Sequence, residues 1–349
     1  GHTRSMASIK KESVEEGECE PVFSSNALQG NLLGVSWRKT LANNIDAVAT
    51  SSKHSTLVVA TSRVFGNDWD GGVTAYAEGD TIGKSCHMPC GCTDVAWVGD
   101  AAEHIAVACD DGNVVVLALS SMGAEGWRPA HVLADHENIV TSVAACPLAL
   151  DTFASCSVDH TIKVWNLSAA EQSSDCISTF RGHCCPVWDV EYNPQERNVL
   201  CSVGQDGQMR MWDDRKPADG PTMTSMPQGS PLFCLSWSSS GDMIAAGSEN
   251  GEVHFFDPRS IEEPLQKWQG HTDSVRRVAM LPGNRVATAS DDCHVAIVSM
   301  AAGKPVLEAK RKTHTDYVRG LCTVSHAASS EKMGLISGSW DRSLALLTA

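Results

Sequence analysis

Short apolar runs alternate with polar turns along nearly the whole chain. Seven times an Asp, once replaced by Asn, stands three positions before an apolar residue that opens such a run. The seven are Asp70, Asp111, Asp159, Asp206, Asn250, Asp292 and Asp341, followed by Val73, Val114, Ile162, Met209, Val253, Val295 and Leu344. Their spacings are 41, 48, 47, 44, 42 and 49 residues. Six positions before most of them lies another apolar residue: Ile105, Phe153, Leu200, Ile244, Val286 or Leu335. Six positions after them come Tyr76, Leu117, Trp165, Trp212, Phe256, Val298 and Leu347. Two strands joined by a tight polar turn make a hairpin. Further strands precede the hairpins, as in Val95–Val98, Val187–Tyr192 and Cys234–Trp237, or lie between repeats, as in Ile177–Phe180 and Val306–Ala309. Four short strands per repeat, at this period, predict an all-β, seven-bladed propeller.

The last repeat stops at Ala349, just after its third strand. The apolar segment 32–37 is expected to supply the missing fourth strand and close the ring, since closure removes a sheet edge. The expected organisation is one propeller over residues 31–349. It follows an expression scar (Gly1–Ser8) and a mobile acidic tail carrying Glu12, Glu15, Glu16, Glu18 and Glu20, which together occupy residues 1–30.

Four repeats carry a His upstream of the turn: His136, His183, His271 and His314, with the matching Asp 23, 23, 21 and 27 residues later. Ser157 and Trp165 complete an expected His–Ser–Asp–Trp set with His136 and Asp159 in the third repeat. A buried imidazole needs both nitrogens bonded, and a turn carboxylate can bond one of them. A pairing that recurs from repeat to repeat is a fold device, whereas a catalytic pair need occur once. The dipeptides Gly182-His183, Gly270-His271, Trp165-Asn166 and Trp212-Asp213 resemble the WD-repeat family. The closing Trp-Asp is missing from the first, second, fifth, sixth and seventh repeats.

Charge and chemistry narrow the function. The chain has 42 acidic and 27 basic residues and a net charge of −15. Nonspecific nucleic-acid binding needs a basic footprint, so no direct nucleic-acid partner is expected. The charge favours Arg- and Lys-rich tails or serves solubility alone. Lys304 with Lys310-Arg311-Lys312 reads as a solvated edge rather than an RNA contact. No apolar run reaches the length of a membrane helix, so no membrane partner is expected. No nucleophile elbow, phosphate-cradling Gly loop or His-Glu-x-x-His pair is present. The expectation is a non-enzyme with no catalytic residue and no cofactor. The 14 cysteines are scattered, with Cys109, Cys156, Cys201 and Cys234 in strand patterns, which suits reduced core thiols of an intracellular protein. Cys86, His87, Cys90 and Cys92 form a denser group, but no second pair stands at a finger-like distance. That run is expected to be small strand residues without metal.

One repeat breaks the pattern. Val58–Ser62 of the first repeat matches Ile244–Ser248 of the fifth, yet Asp70 follows Val58 by twelve residues while Asn250 follows Ile244 by six. The first hairpin therefore holds about six extra residues, ending in Phe65-Gly66-Asn67-Asp68-Trp69. Large exposed aromatics mark contact sites, and Trp is a favoured interface anchor. The alternative is that Trp69 folds back on its own or a neighbouring blade. Tyr317, at the start of the seventh blade, lies on the same face and is expected to join Trp69 in one aromatic patch.

Thr93–Gly99, Trp69 before Gly71-Gly72, His314–Arg319 and Trp340-Asp341 together resemble the methylosome branch of the WD-repeat family. These are partners of the type II (symmetric) protein arginine methyltransferase. The resemblance implies a cytoplasmic and nuclear, non-catalytic subunit. It implies that Trp69 inserts into the amino-terminal barrel domain of the methyltransferase, with Tyr317 near the same interface. It also implies Arg-rich substrates such as histones and Sm proteins. The family's basic residue two before the loop Trp is replaced by Asn67. A competing reading is a substrate receptor of a cullin–RING ubiquitin ligase, through the Trp212-Asp213-Asp214-Arg215 box.

Overall fold

Six of the seven predicted hairpins form because a turn Asp, or Asn250, caps the chain reversal. Asp111, Asp159, Asp206, Asp292 and Asp341 each accept the backbone N–H two residues on, at 2.9–3.1 Å. Asn250 accepts the Glu252 N–H at 3.4 Å. The intervening residue takes the left-handed conformation, from Gly112 at φ 89° to Arg342 at φ 66°. Short polar side chains favour such turns by bonding their own backbone.

The computed structural model describes residues 35–51, 56–65, 68–77, 83–99, 104–119, 127–170, 176–325 and 333–348. The expected scar and tail lie outside these residues. The strands assemble into seven four-stranded antiparallel sheets, a seven-bladed propeller. The innermost strands of blades one to seven are Asn44–Ser51, Cys92–Val98, Val140–Ala145, Val187–Tyr192, Leu232–Trp237, Val275–Leu281 and Val318–Ser325. Apolar residues of neighbouring blades make the core. Val58, Ala60 and Val73 of blade one, for example, pack with Val95, Ile105 and Val107 of blade two. No helix among the described residues is long and apolar enough to cross a membrane.

The ring closes as expected, by an N-terminal strand on the last blade. Val35–Thr40 pairs with Ser343–Thr348, with Trp37 opposite Leu346 and Thr40 opposite Ser343. The strand lies later than the apolar segment 32–37, whose first three residues fall outside the described ones. An outermost strand is half solvated, so polar residues hold it. Ser36 Oγ donates to the Leu346 carbonyl at 3.2 Å, and an Arg38 Nη donates to Ser343 Oγ at 2.9 Å.

Blade one departs from the expected repeat. Its middle strands, Thr56–Phe65 and Asp68–Ala77, continue their ladder to Val64 opposite Trp69 and Phe65 opposite Asp68. Twelve residues separate the paired Ala60 and Val73, where five separate Gly247 and Val253 of blade five. The excess is therefore seven residues rather than six, because Leu57, not Val58, holds the position of Ile244. Asp70 is not a turn residue, although it fits the sequence spacing. It pairs across the ladder with Arg63, whose Nε and Nη2 donate to it at 3.0 and 2.6 Å.

Candidate functional site

Four blades bury a polar chain behind the turn. In blade four, Trp212 Nε1 donates to Ser202 Oγ at 2.8 Å, Ser202 Oγ lies 2.8 Å from His183 Nε2, and His183 Nδ1 lies 2.9 Å from Asp206. Blade three repeats this with Trp165, Ser155, His136 and Asp159, each link at 2.8 Å. The hydroxyl is therefore Ser155 and not Ser157. Trp165 sits opposite Phe153 in the ladder, so its ring reaches Ser155 diagonally. Ser157, at the strand end, instead donates to the Asn138 carbonyl and accepts the Asp159 N–H, both at 3.0 Å. In blade six His271 joins Asp292 and Thr288, and in blade seven His314 joins Asp341 and Ser337. Val298 and Leu347 stand where the Trp would be. Burial pushes the carboxyls of Asp159, Asp206, Asp292 and Asp341 up. The bonds from His and its neighbours win and hold all four well below the usual range. Buried, saturated and repeated, these groups staple the turns. None of them lines the cavity at the mouth of the central channel.

The face with chemistry to offer surrounds the mouth of the central channel. Each innermost strand shifts register once near its start. A bulge re-aims the extra residue. The seven re-aimed residues are Asp46, Thr93, Thr141, Trp188, Phe233, Arg276 and Arg319, and all line one cavity of about 320 Å³. Trp69, Gly91, Cys92, Ile139 and Trp340 are also part of its wall. Arg276 and Arg319 share one carboxylate, Asp291, at 2.8 and 3.3 Å. Arg276 stacks over Phe233 at 4.0 Å, and Arg319 lies over Trp340 at 4.9 Å. Trp340 Nε1 donates to Asp46 at 2.9 Å, and burial pushes the Asp46 carboxyl up to about 6.

Trp69 is 51% exposed and Tyr317 40%. Trp69 leans onto blade two, where its indole nitrogen and the Asp110 carboxylate both lie over Gly91. Gly91 lies directly under the indole, and a Cβ there would collide with its nitrogen. Both expectations for Trp69 thus hold in part: it rests on a neighbouring blade and still shows half its surface. Tyr317 packs on Trp340, ring centroids 5.6 Å apart, rather than on Trp69. The expected patch is a rim with Trp340 between them. The side chain of Phe65 lies outside the described residues. Sequence reasoning missed Trp340, Trp188 and Phe233 as residues lining the mouth. The signal was present, since the last two directly follow the apolar residue that opens each innermost strand.

Other candidates resolve simply. Trp212 is buried, and Arg215 chelates Asp213 at 2.8 and 2.6 Å. Arg259 chelates Asp257 in the same way in blade five, so the pair is a turn device. Lys310 bonds Asp292 at 3.0 Å and the Gly270 carbonyl at 2.6 Å, which makes it part of the blade-six staple. The Cys86, His87, Cys90, Cys92 group is split. His87 faces Asp70 at 3.3 Å, while Cys90 turns towards Cys109 and Asp111.

A closed propeller with an aromatic and charged rim, and with its acid–base pairs consumed as staples, defines a non-catalytic platform for binding other proteins. The profile for the WD domain, G-beta repeat, matches residues 127–166, 174–213, 222–257 and 262–299, so these four stretches of the propeller are WD40-type repeats. The chain is 28% identical over 175 residues to the transcriptional corepressor LEUNIG_HOMOLOG of Arabidopsis thaliana, covering 50% of this chain and 21% of that protein. It is 24% identical over 169 residues to the E3 ubiquitin-protein ligase COP1 of the same plant, covering 48% of this chain and 24% of the ligase. The chain thus spans about a quarter or less of these two relatives. It is 24% identical over 277 residues to the methylosome protein WDR77 of Xenopus laevis, covering 76% of this chain and 79% of that protein.

Proposed function

We propose that this chain is the non-catalytic propeller subunit of a type II arginine methyltransferase complex. It docks through the blade-one hairpin with Trp69 as anchor, and helps present Arg-rich substrates such as histones and Sm proteins in cytoplasm and nucleus. The observation that carries this reading is the hairpin itself. Seven extra residues lift Trp69 to the rim, where it lies half exposed over Gly91, beside Asp110. A large aromatic kept in place without its partner loses little entropy on docking. The similarity to methylosome protein WDR77 runs over more than three quarters of both chains, which supports the same reading. The net charge of −15 favours encounter with basic tails. The test is co-elution of the purified chain with the type II methyltransferase on a sizing column. One stable complex is expected, and separate elution at micromolar concentrations would end this reading.

A further inference from the structure

Beneath the blade-one hairpin, beside the mouth cavity that Gly91 and Cys92 help to line, sulfur and oxygen donors converge. Cys92 of the innermost strand pairs directly with Cys109 of the next strand, which sets both side chains on one face of the sheet. The ladder then continues one step, because the Asp110 N–H donates to the Gly91 carbonyl at 3.1 Å. That step brings Cys90 opposite Asp111. The donor atoms of Cys90, Cys109 and Asp111 all lie within 4.8 Å of one another. Other strand cysteines behave differently: Cys156 meets the Thr141 hydroxyl at 3.2 Å, Cys201 the Ser202 carbonyl at 4.0 Å and Cys234 the Val275 carbonyl at 3.5 Å. Cys184 also lies 3.9 Å from both the Cys185 thiol and Asp206, but that carboxylate is already held by His183 and Arg210.

We propose that Cys90, Cys92, Cys109 and Asp111 bind one zinc ion. Zinc takes four ligands at tetrahedral corners with Zn–S bonds of about 2.3 Å. Ligands so placed sit roughly 3.8 Å apart, so Cys90, Cys109 and Asp111 need to draw in by about an ångström or less, and the Cys92 thiol, outside that group, has to swing in as the fourth ligand. Three cysteines with one carboxylate suit a soft divalent ion and leave no place for calcium or magnesium, which prefer oxygen. The three thiols are buried while Asp111 is exposed, which gives the ion an entry side. Asp111 is already oriented, because its oxygens accept the Asn113 N–H at 3.0 Å and the Asn113 amide at 2.8 Å. Such outer bonds fix a ligand's direction. Each thiol surrenders its proton to solvent as the metal–sulfur bond forms. Cys90 and Cys92 flank Gly91, so the ion would clamp the stretch of backbone on which Trp69 rests.

The experiment is metal analysis of the full chain, produced with added zinc and passed through a desalting column under reducing conditions. One zinc per chain is expected. Asp111→Asn, on an exposed side chain, and Cys90→Ser should each lose that zinc while circular dichroism stays unchanged. Cobalt in place of zinc should show the intense visible bands of a tetrahedral thiolate site. Far less than one zinc per chain overturns the proposal, as does full zinc in a Cys90→Ser, Asp111→Asn double variant. A third result would also overturn it: two thiols missing from the unfolded, metal-free protein and restored by reductant, which would make Cys90 and Cys109 a disulfide pair instead.

Discussion

Asp189 offers a prediction whose size follows from proton counting. It lies on the innermost strand of blade four, buried to 7% exposure. Its Oδ1 sits 2.7 Å from Ser142 Oγ and accepts the Val190 N–H at 2.9 Å, while Oδ2 accepts the Leu235 N–H at 2.9 Å. The same Ser142 Oγ lies 2.8 Å from Asp94 Oδ2. A hydroxyl has one proton to give. Between two carboxylates it can donate to one only, so the other contact is attractive when that carboxyl carries a proton. Burial, opposed by Arg277 and reinforced by the Asp94 charge, pushes Asp189 up to about 6. In the unfolded chain the value is about 3.9. The shift of about two units is worth roughly 3 kcal/mol at about 1.36 kcal/mol per unit. The native state holds the proton more tightly, so this stability is fully present below about pH 4 and is lost as pH rises through 6. Near half of it, on the order of 1 kcal/mol, disappears between pH 5 and pH 8. Asp189→Asn cannot titrate. Its amide can donate to Ser142 but opposes the Val190 N–H, a cost that does not vary with pH. The assay is urea unfolding of both proteins at pH 5 and pH 8. The variant should gain on the order of 1 kcal/mol on wild type between the two. Parallel changes in the two proteins would refute the shared-proton arrangement.

Three further outcomes follow from other parts of the molecule. Ser202→Ala leaves the buried Trp212 N–H and His183 Nε2 without partners, at about 1–3 kcal/mol each; a lowered urea midpoint should show it, and an unchanged one would remove the staple's role. Removal of residues 1–40 leaves Ser343–Thr348 as a bare edge, so calorimetry should show a large fall in melting temperature, and light scattering should show aggregation. Gly91→Ala drives a methyl group into the Trp69 indole; methyltransferase binding should weaken while the melting temperature stays near wild type, a split that fluorescence anisotropy and calorimetry would reveal.

The architecture was legible because a turn Asp, a left-handed residue and two apolar strands must recur wherever a hairpin of this kind recurs. The same rule misled at Asp70, where a longer ladder carried the turn outward and left an Asp at the right spacing for another reason. Ser155 and Ser157 share a face of one strand, and only the register against Trp165 separates them. The closing strand was placed early because apolar content marks inner strands, whereas Val35–Thr40 is held by Ser36 and Arg38. Trp69 could be found because its blade broke a pattern. Trp340 could not, since its Trp-Asp dipeptide read as a repeat signature while its ring serves the rim. Cys90 and Cys109 are far apart in sequence, and only strand pairing brings their thiols together.

The central claim is that Trp69 anchors this propeller on a type II arginine methyltransferase. Titration calorimetry of the purified methyltransferase with wild type and with Trp69→Ala tests it most directly. Truncating a central aromatic anchor costs about 2 kcal/mol or more, roughly a thirtyfold rise in Kd. The account predicts that loss or a greater one, with the fold intact by circular dichroism. Equal affinity for the two proteins would contradict it.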